Sequence, residues 1–136
     1  MRRDAKIDLI GRVPLFAGCS KKELGEIASL ADELDLREGR TIIREGERGR
    51  EFFVIVDGTV SVTRKGRKVA SLAGGDFVGE IALISDVPRT ATVVTTSPAR
   101  VLVVTDRDFR GLVQRMPNIA VKVLAAVAER LKPQVA

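Results

Sequence analysis

Residues 52–72 read Phe52-Phe53-Val54-Ile55-Val56-Asp57-Gly58-Thr59-Val60-Ser61-Val62-Thr63-Arg64-Lys65-Gly66-Arg67-Lys68-Val69-Ala70-Ser71-Leu72. Asp57-Gly58 between Phe52–Val56 and Thr59–Thr63 predicts a hairpin, because a tight two-residue turn needs positive φ and these residues tolerate it. Lys65-Gly66 predicts a second, between Ser61–Arg64 and Lys68–Leu72. The pattern extends in both directions. Leu34, Leu36, Ile42, Phe53, Ile55, Val60, Val62, Val69, Val93, Val101 and Val103 sit in short alternating runs, bounded by Gly39, Gly46, Gly49, Gly58, Gly66 and Gly74-Gly75. Arg100–Thr105 reads as the last strand, entered through Ser97-Pro98. Short strands at regular spacing predict a mainly β fold, a barrel or double-sheet jelly roll.

Helical patterns flank the strands. Ile7, Leu9 and Ile10 make a short apolar face before Gly11. Ser20-Lys21-Lys22-Glu23 is a capping box, and Leu24, Ile27 and Ala28 follow at helical spacing, so a helix is expected from about Lys21 to Leu30. At the other end Asp106 suits the N-cap of a helix over Arg107–Met116. Pro117 breaks it, and Asn118 can cap a last helix from Ile119 to about Leu131.

The chain has 136 residues, which fits one domain. It contains no His, which removes the commonest general base and metal ligand, and with it cupin-type metal chemistry on a jelly roll. One Cys builds neither a disulfide nor an iron–sulfur site, and the usual haem ligand is missing, so no cofactor, metal site or catalytic residue is expected. Cys19 reads as a small buried hydrophobe. Phe16-Ala17-Gly18-Cys19 behind Met1-Arg2-Arg3 imitates a lipoprotein cleavage box, but Lys6, Asp8, Arg12 and Pro14 break the apolar segment such a leader needs. No stretch is apolar for ~18 residues, so no membrane insertion is expected and the chain reads as cytoplasmic. Lys plus Arg is 23 against 18 Asp plus Glu, a net charge of +5 that favours anionic partners without choosing among them. No helix-turn-helix follows the basic cluster at 64–68, so direct nucleic-acid binding is not expected.

One segment interrupts the strands: Gly74-Gly75-Asp76-Phe77-Val78-Gly79-Glu80-Ile81-Ala82-Leu83-Ile84-Ser85-Asp86-Val87-Pro88-Arg89-Thr90-Ala91-Thr92-Val93. Gly79 precedes a short apolar helical run, Ile81–Ile84, whose first N–H groups face any anion placed there. Glu80 can accept from sugar hydroxyls, and Arg89 can hold a phosphate with its planar fork. The same spacing equally fits a Glu that complements the helix dipole and pairs with Arg89.

This segment resembles the phosphate-binding cassette of the cyclic-nucleotide-binding domain family, the family of catabolite activator protein and the regulatory subunit of protein kinase A. The family pattern is close to F-G-E-[ILM]-A-L with a following P-R-[ATS]-A-T-V. Pro14-Leu15-Phe16 before the Ser20 helix is similar to the family's helical entry, and Gly39, Gly46, Gly58, Gly75 and Gly79 match its turn glycines. The resemblance runs from about Val13 to Leu131. It implies an eight-stranded double-sheet jelly roll with N-terminal helices (about 4–31), a β-roll (about 32–105, cassette 75–93) and a C-terminal helix pair (about 106–132), together one domain over 1–136. It implies a regulatory module that binds a cyclic nucleotide and turns nothing over. By position, Glu80 matches the acid on the ribose 2′-hydroxyl and Arg89 the arginine on the cyclic phosphate. Gly79, Ile81 and Ala82 match residues whose backbone meets the sugar phosphate. Thr90 matches a position whose hydroxyl reaches either the phosphate or a guanine amino group.

The family closes its base pocket from the C-terminal helix, often with an aromatic or polar residue. Here that helix offers aliphatics, Val121, Leu124 and Val127, as the candidate base lid, with Lys122, Glu129 and Arg130 as its charged positions. Cyclic AMP is therefore favoured over cyclic GMP. Either the three pack on the barrel or they close over the purine, with Pro117 as the hinge. The helix also offers a face for a homodimer. Family domains are joined to an effector, so the partner here is an unknown effector protein or fused domain. The competing reading is a scaffold or dimerisation domain of the same fold that binds nothing.

Overall fold

Ser20 and Glu23 act as their spacing predicts. The Ser20 Oγ accepts from the Glu23 amide at 3.1 Å, and the Glu23 carboxylate accepts from the Ser20 amide at 2.7 Å. The computed structural model describes residues 3–79 and 87–131, the side chains of 126, 127, 130 and 131 excepted. In it the capped helix α2 (Lys21–Leu30) follows α1 (Arg3–Gly11) and a 3-10 turn over Pro14–Phe16. Gly25 is tolerated inside α2 because α1 crosses there: a Cβ would lie 2.8 Å from the Arg3 guanidinium.

Eight strands follow among the described residues: β1 (Asp32–Leu36), β2 (Thr41–Ile43), β3 (Glu51–Asp57), β4 (Thr59–Arg64), β5 (Arg67–Ala73), β6 (Phe77–Val78), β7 (Thr92–Thr95) and β8 (Ala99–Thr105). They form two antiparallel four-stranded sheets, ordered β1-β8-β3-β6 and β2-β7-β4-β5. This is the double-sheet jelly roll with flanking helices. The chain ends in α3 (Asp106–Arg115) and α4 (Pro117–Leu131). No described helix is long and apolar enough to cross a membrane.

Two apolar clusters hold these layers. Phe53, Ile55, Val60, Val78, Val93 and Val101 fill the space between the sheets. Phe52, Val54, Leu102 and Val104 point the other way and meet Ile10, Phe16, Ile27, Phe109, Leu112 and Ile119 of the helical layer. Phe52 stacks tilted on Phe77 and Phe109, with ring centroids 5.4 and 4.6 Å away. Burying each such side chain stabilises by ~1.5–3 kcal/mol, so the helices are bound to the roll by apolar area. β3 is thus buried on both faces, which accounts for the unbroken run Phe52–Ile55 where alternation was expected. Leu34 and Val69, read as alternating core positions, are exposed.

Lys65-Gly66 closes the β4–β5 hairpin as predicted, with φ of 52° and 78°. Asp57-Gly58 does not close a hairpin. β3 pairs with β8 and β6, β4 pairs with β5 and β7, and the dipeptide carries the chain from one sheet to the other. Gly58 has φ +94°, and a Cβ there would sit 2.4 Å from the Pro98 carbonyl oxygen, so the corner is squeezed against the entry to β8. Turn chemistry announces the bend; it does not choose the partner strand.

The last helices start earlier than predicted. Thr105, not Asp106, is the N-cap of α3, its hydroxyl accepting from the Asp108 amide at 3.2 Å. Asp106 is buried, its amide bonded to the Arg50 carbonyl and its carboxylate to the Arg107 amide. Pro117 opens α4 rather than preceding its cap, as its fixed φ and missing donor allow. Asn118 instead turns its amide to the Cys19 Sγ at 3.7 Å. Cys19 is half-buried rather than buried. Burial pushes its thiol above the ordinary range. On β1, the hydrogen bond from Arg100 holds the exposed Asp35 carboxyl below its ordinary range.

Candidate functional site

Gly79 leaves β6 directly beside the start of β3. Its φ is +90°, and a Cβ would lie 2.7 Å from the Glu51 carbonyl oxygen and 3.0 Å from Arg89 Nη1. Only glycine lets the chain pass so close.

Arg89 lies in the stretch before β7. Its amide donates to the Glu47 carbonyl and its carbonyl accepts from the Gly46 amide, both at 2.8 Å, so its backbone is docked on the loop between β2 and β3. The half-buried side chain then reaches the start of β3. Nη2 donates to the Glu51 carbonyl at 2.7 Å, and Nη1 lies 3.4 Å from the Gly79 carbonyl. Gly49 makes room for this: a Cβ there would sit 2.3 Å from Nε and 2.6 Å from Nη2. The two glycines thus admit the guanidinium, and the two carbonyls fix its plane. Bonds from a cation to carbonyl oxygens are stronger than neutral ones, and an oriented planar fork is the group that takes a phosphate by two parallel bonds.

Of the residues singled out in the sequence, Gly79 and Arg89 are brought together. Thr90 is next to them and exposed. Glu80, Ile81 and Ala82 lie outside the described residues, and with them the predicted Ile81–Ile84 helix. On α4, Val121 and Leu124 are 66% and 70% exposed, so they do not pack on the barrel. Ile119 does so, at 0% exposure, with Val123 packed against the same cluster. The side chain of Val127 lies outside the described residues.

Sequence reasoning missed the other half of the niche: Gly46, Glu47, Gly49 and Glu51. Gly46 was legible as a strand boundary and as one of the family's turn glycines, and Gly49 only as a strand boundary. Nothing in Arg48-Gly49-Arg50 signals an arginine arriving from a distant turn.

The comparisons with known proteins bear on the family and the fold. The family model described as cyclic nucleotide-binding domain matches residues 33–116. A putative potassium channel protein of Rhodopseudomonas palustris is 34% identical over 95% of this chain and 32% of its own length. A cAMP-dependent protein kinase regulatory subunit of Mycosarcoma maydis is 42% identical over 79% of this chain and 22% of its own. The chain therefore spans a third or less of these curated relatives. The crystal structure of Thermus thermophilus catabolite activator protein is 27% identical and superposes with a TM-score of 0.81, covering 89% of this chain and 59% of that one. The jelly roll, the Arg89 niche at the end of β6 and the family match over most of the strands lead to one conclusion: the chain belongs to the cyclic nucleotide-binding domain family.

Proposed function

We propose that this domain is a regulatory module that binds a cyclic nucleotide monophosphate, cyclic AMP in preference to cyclic GMP. The observation that carries the reading is the Arg89 guanidinium, oriented by the Glu51 and Gly79 carbonyls in a niche that Gly49 and Gly79 keep open. In this reading Arg89 takes the cyclic phosphate and Glu80 accepts from the ribose 2′-hydroxyl. Gly79, Ile81 and Ala82 frame the sugar phosphate, and Thr90 lies beside it. Glu80 serves here as a hydrogen-bond acceptor with no His beside it to activate a water, so in this reading the ligand is released as it was bound.

The apolar face of α4 supports the second half of the reading. Val121 and Leu124, with Val127, close over the purine, which is why an adenine without a dedicated polar partner is preferred. α4 then relays the closure to an effector fused to or docked on this domain; the kinase and channel relatives favour fusion. A ligand shifts such an equilibrium only by its differential affinity for the closed form.

Calorimetric titration tests the site. Arg89→Ala is expected to lose about 2–5 kcal/mol of cyclic AMP binding, as when one partner of a hydrogen-bonded charge pair is truncated. The 2′-deoxy ligand is expected to lose about 1–3 kcal/mol through an unpaired Glu80 carboxylate. Parent-like affinity of the Ala variant would place the phosphate elsewhere. A tenfold preference for cyclic GMP, about 1.4 kcal/mol, would reverse the base assignment.

A further inference from the structure

The tip of the β4–β5 hairpin adjoins the segment that follows Arg89, because β4 pairs with β7 in the same sheet. Arg64 Nε donates to the Thr90 carbonyl at 3.1 Å. The next residue, Lys65, donates its amide to the Glu45 carboxylate at 2.9 Å. Glu45 in turn donates its own amide to the Thr92 hydroxyl at 3.0 Å. Lys65 and Gly66 both have positive φ, so the tight turn fixes where that amide and the Arg64 side chain point. Residues 89–91 belong to no strand. They are held by the Gly46 and Glu47 backbone before Thr90 and by Arg64 at Thr90 itself.

We propose that Arg64 is a positioning residue: it clamps the Thr90 carbonyl so that Arg89, one residue earlier, keeps its backbone on the loop between β2 and β3 and its guanidinium on the Glu51 and Gly79 carbonyls. The proposal rests on the reading of Arg89 as the phosphate anchor. A hydrogen bond from a charged donor to a backbone carbonyl is a strong tie for a stretch with no sheet pairing. The role differs from steering by charge. Four basic residues, Arg64, Lys65, Arg67 and Lys68, crowd this hairpin, and each raises the local potential for an anion. Only Arg64 among them is bonded through its side chain to the Arg89–Thr90 backbone.

That difference supplies the control. Arg64→Met and Arg67→Met each remove one positive charge from the same hairpin, but only the first removes the bond to Thr90. Cyclic AMP is titrated into both variants and the parent, and amide exchange at Gly46 and Arg89 is followed without nucleotide. Arg64→Met is expected to weaken binding about five- to tenfold, and Arg67→Met by no more than about twofold. Exchange at the Gly46 and Arg89 amides is expected to quicken several-fold in Arg64→Met alone, since local opening costs less once a tie is removed. Equal binding by the two variants overturns the positioning role. If the parent binds neither cyclic nucleotide, the functional reading fails and exchange decides the proposal: parent-like rates at both amides in Arg64→Met overturn it.

Discussion

α3 and α4 follow each other at the end of the roll, and they bury themselves to very different degrees. α3 places Phe109 and Leu112 in the core, with Met116 just past its end, and turns Arg107 and Arg110 outward. α4 commits Ile119 and part of Val123, then leaves Val121 and Leu124 to solvent. Both helices touch the same apolar layer. The difference is what each does with the rest of its apolar residues. α3 is a cap whose sequence is fully used by the fold. α4 carries apolar surface that the fold of this chain does not use, and unused apolar surface costs solubility unless something covers it.

The largest effect that can break this contrast is on stability. Leu112 is 0% exposed and Leu124 is 70% exposed. Leu112→Ala is expected to cost about 2–5 kcal/mol in urea unfolding through lost transfer energy and a residual cavity. Leu124→Ala is expected within about 0.5 kcal/mol of the parent. Equal losses would mean that α4 is as much a structural cap as α3.

A medium effect sharpens the contrast in ligand binding. The pair Val121→Ser and Leu124→Ser is expected to leave the unfolding midpoint near the parent's and to weaken cyclic AMP about three- to tenfold, as buried methyl groups are lost from the closed form. Unchanged affinity in calorimetry, with a shift from dimer to monomer by size exclusion, would assign the face to a second copy instead.

The smallest effect is read at Cys19, which sits under the first turn of α4. Burial raises its thiol above the usual range, with the Glu23 carboxylate adding to this, and the Asn118 bond and Lys122 oppose it. Folding therefore favours the protonated thiol. That contribution is present at neutral pH and is lost as pH rises through the folded-state value. Maleimide labelling of the folded protein is expected to rise at higher pH than labelling of the denatured chain. Coincident profiles would show that α4 does not cover the thiol.

The comparison also shows how far the sequence could be read. Ser20 and Glu23 were legible because a capping box is a local device, satisfied by backbone groups three residues apart. Lys65-Gly66 was legible for the same reason. Asp57-Gly58 uses equally local chemistry, yet the strands it joins part company, because pairing is decided by the Pro98–Ala99 segment and by β5 and β7. The unbroken run Phe52–Ile55 hid a strand with two buried faces behind an expectation of alternation. Thr105 and Asp106 are both good caps, and the choice between them fell to the bond from the Asp106 amide to the Arg50 carbonyl. Arg89 was found through its motif, whereas Gly49 was not, since its meaning lies in a side chain that arrives from a distant turn. Val121 and Leu124 at helical spacing fit a packed face as well as an exposed one. Only the position of Ile119 on the other side of the helix decides between them.

β3 bears on how the molecule comes apart. Its two faces belong to different apolar clusters, so neither the helical layer nor the second sheet can be stripped away without wetting this strand. The two halves are then expected to melt together rather than in sequence, and the amides of Phe52–Ile55 to be among the slowest to exchange. Its first carbonyl, that of Glu51, is also the one that Arg89 grips. An anion bound at Arg89 would therefore be tied to a strand buried on both faces, and its binding energy is expected to be read out as resistance to global unfolding rather than as the quieting of one loop.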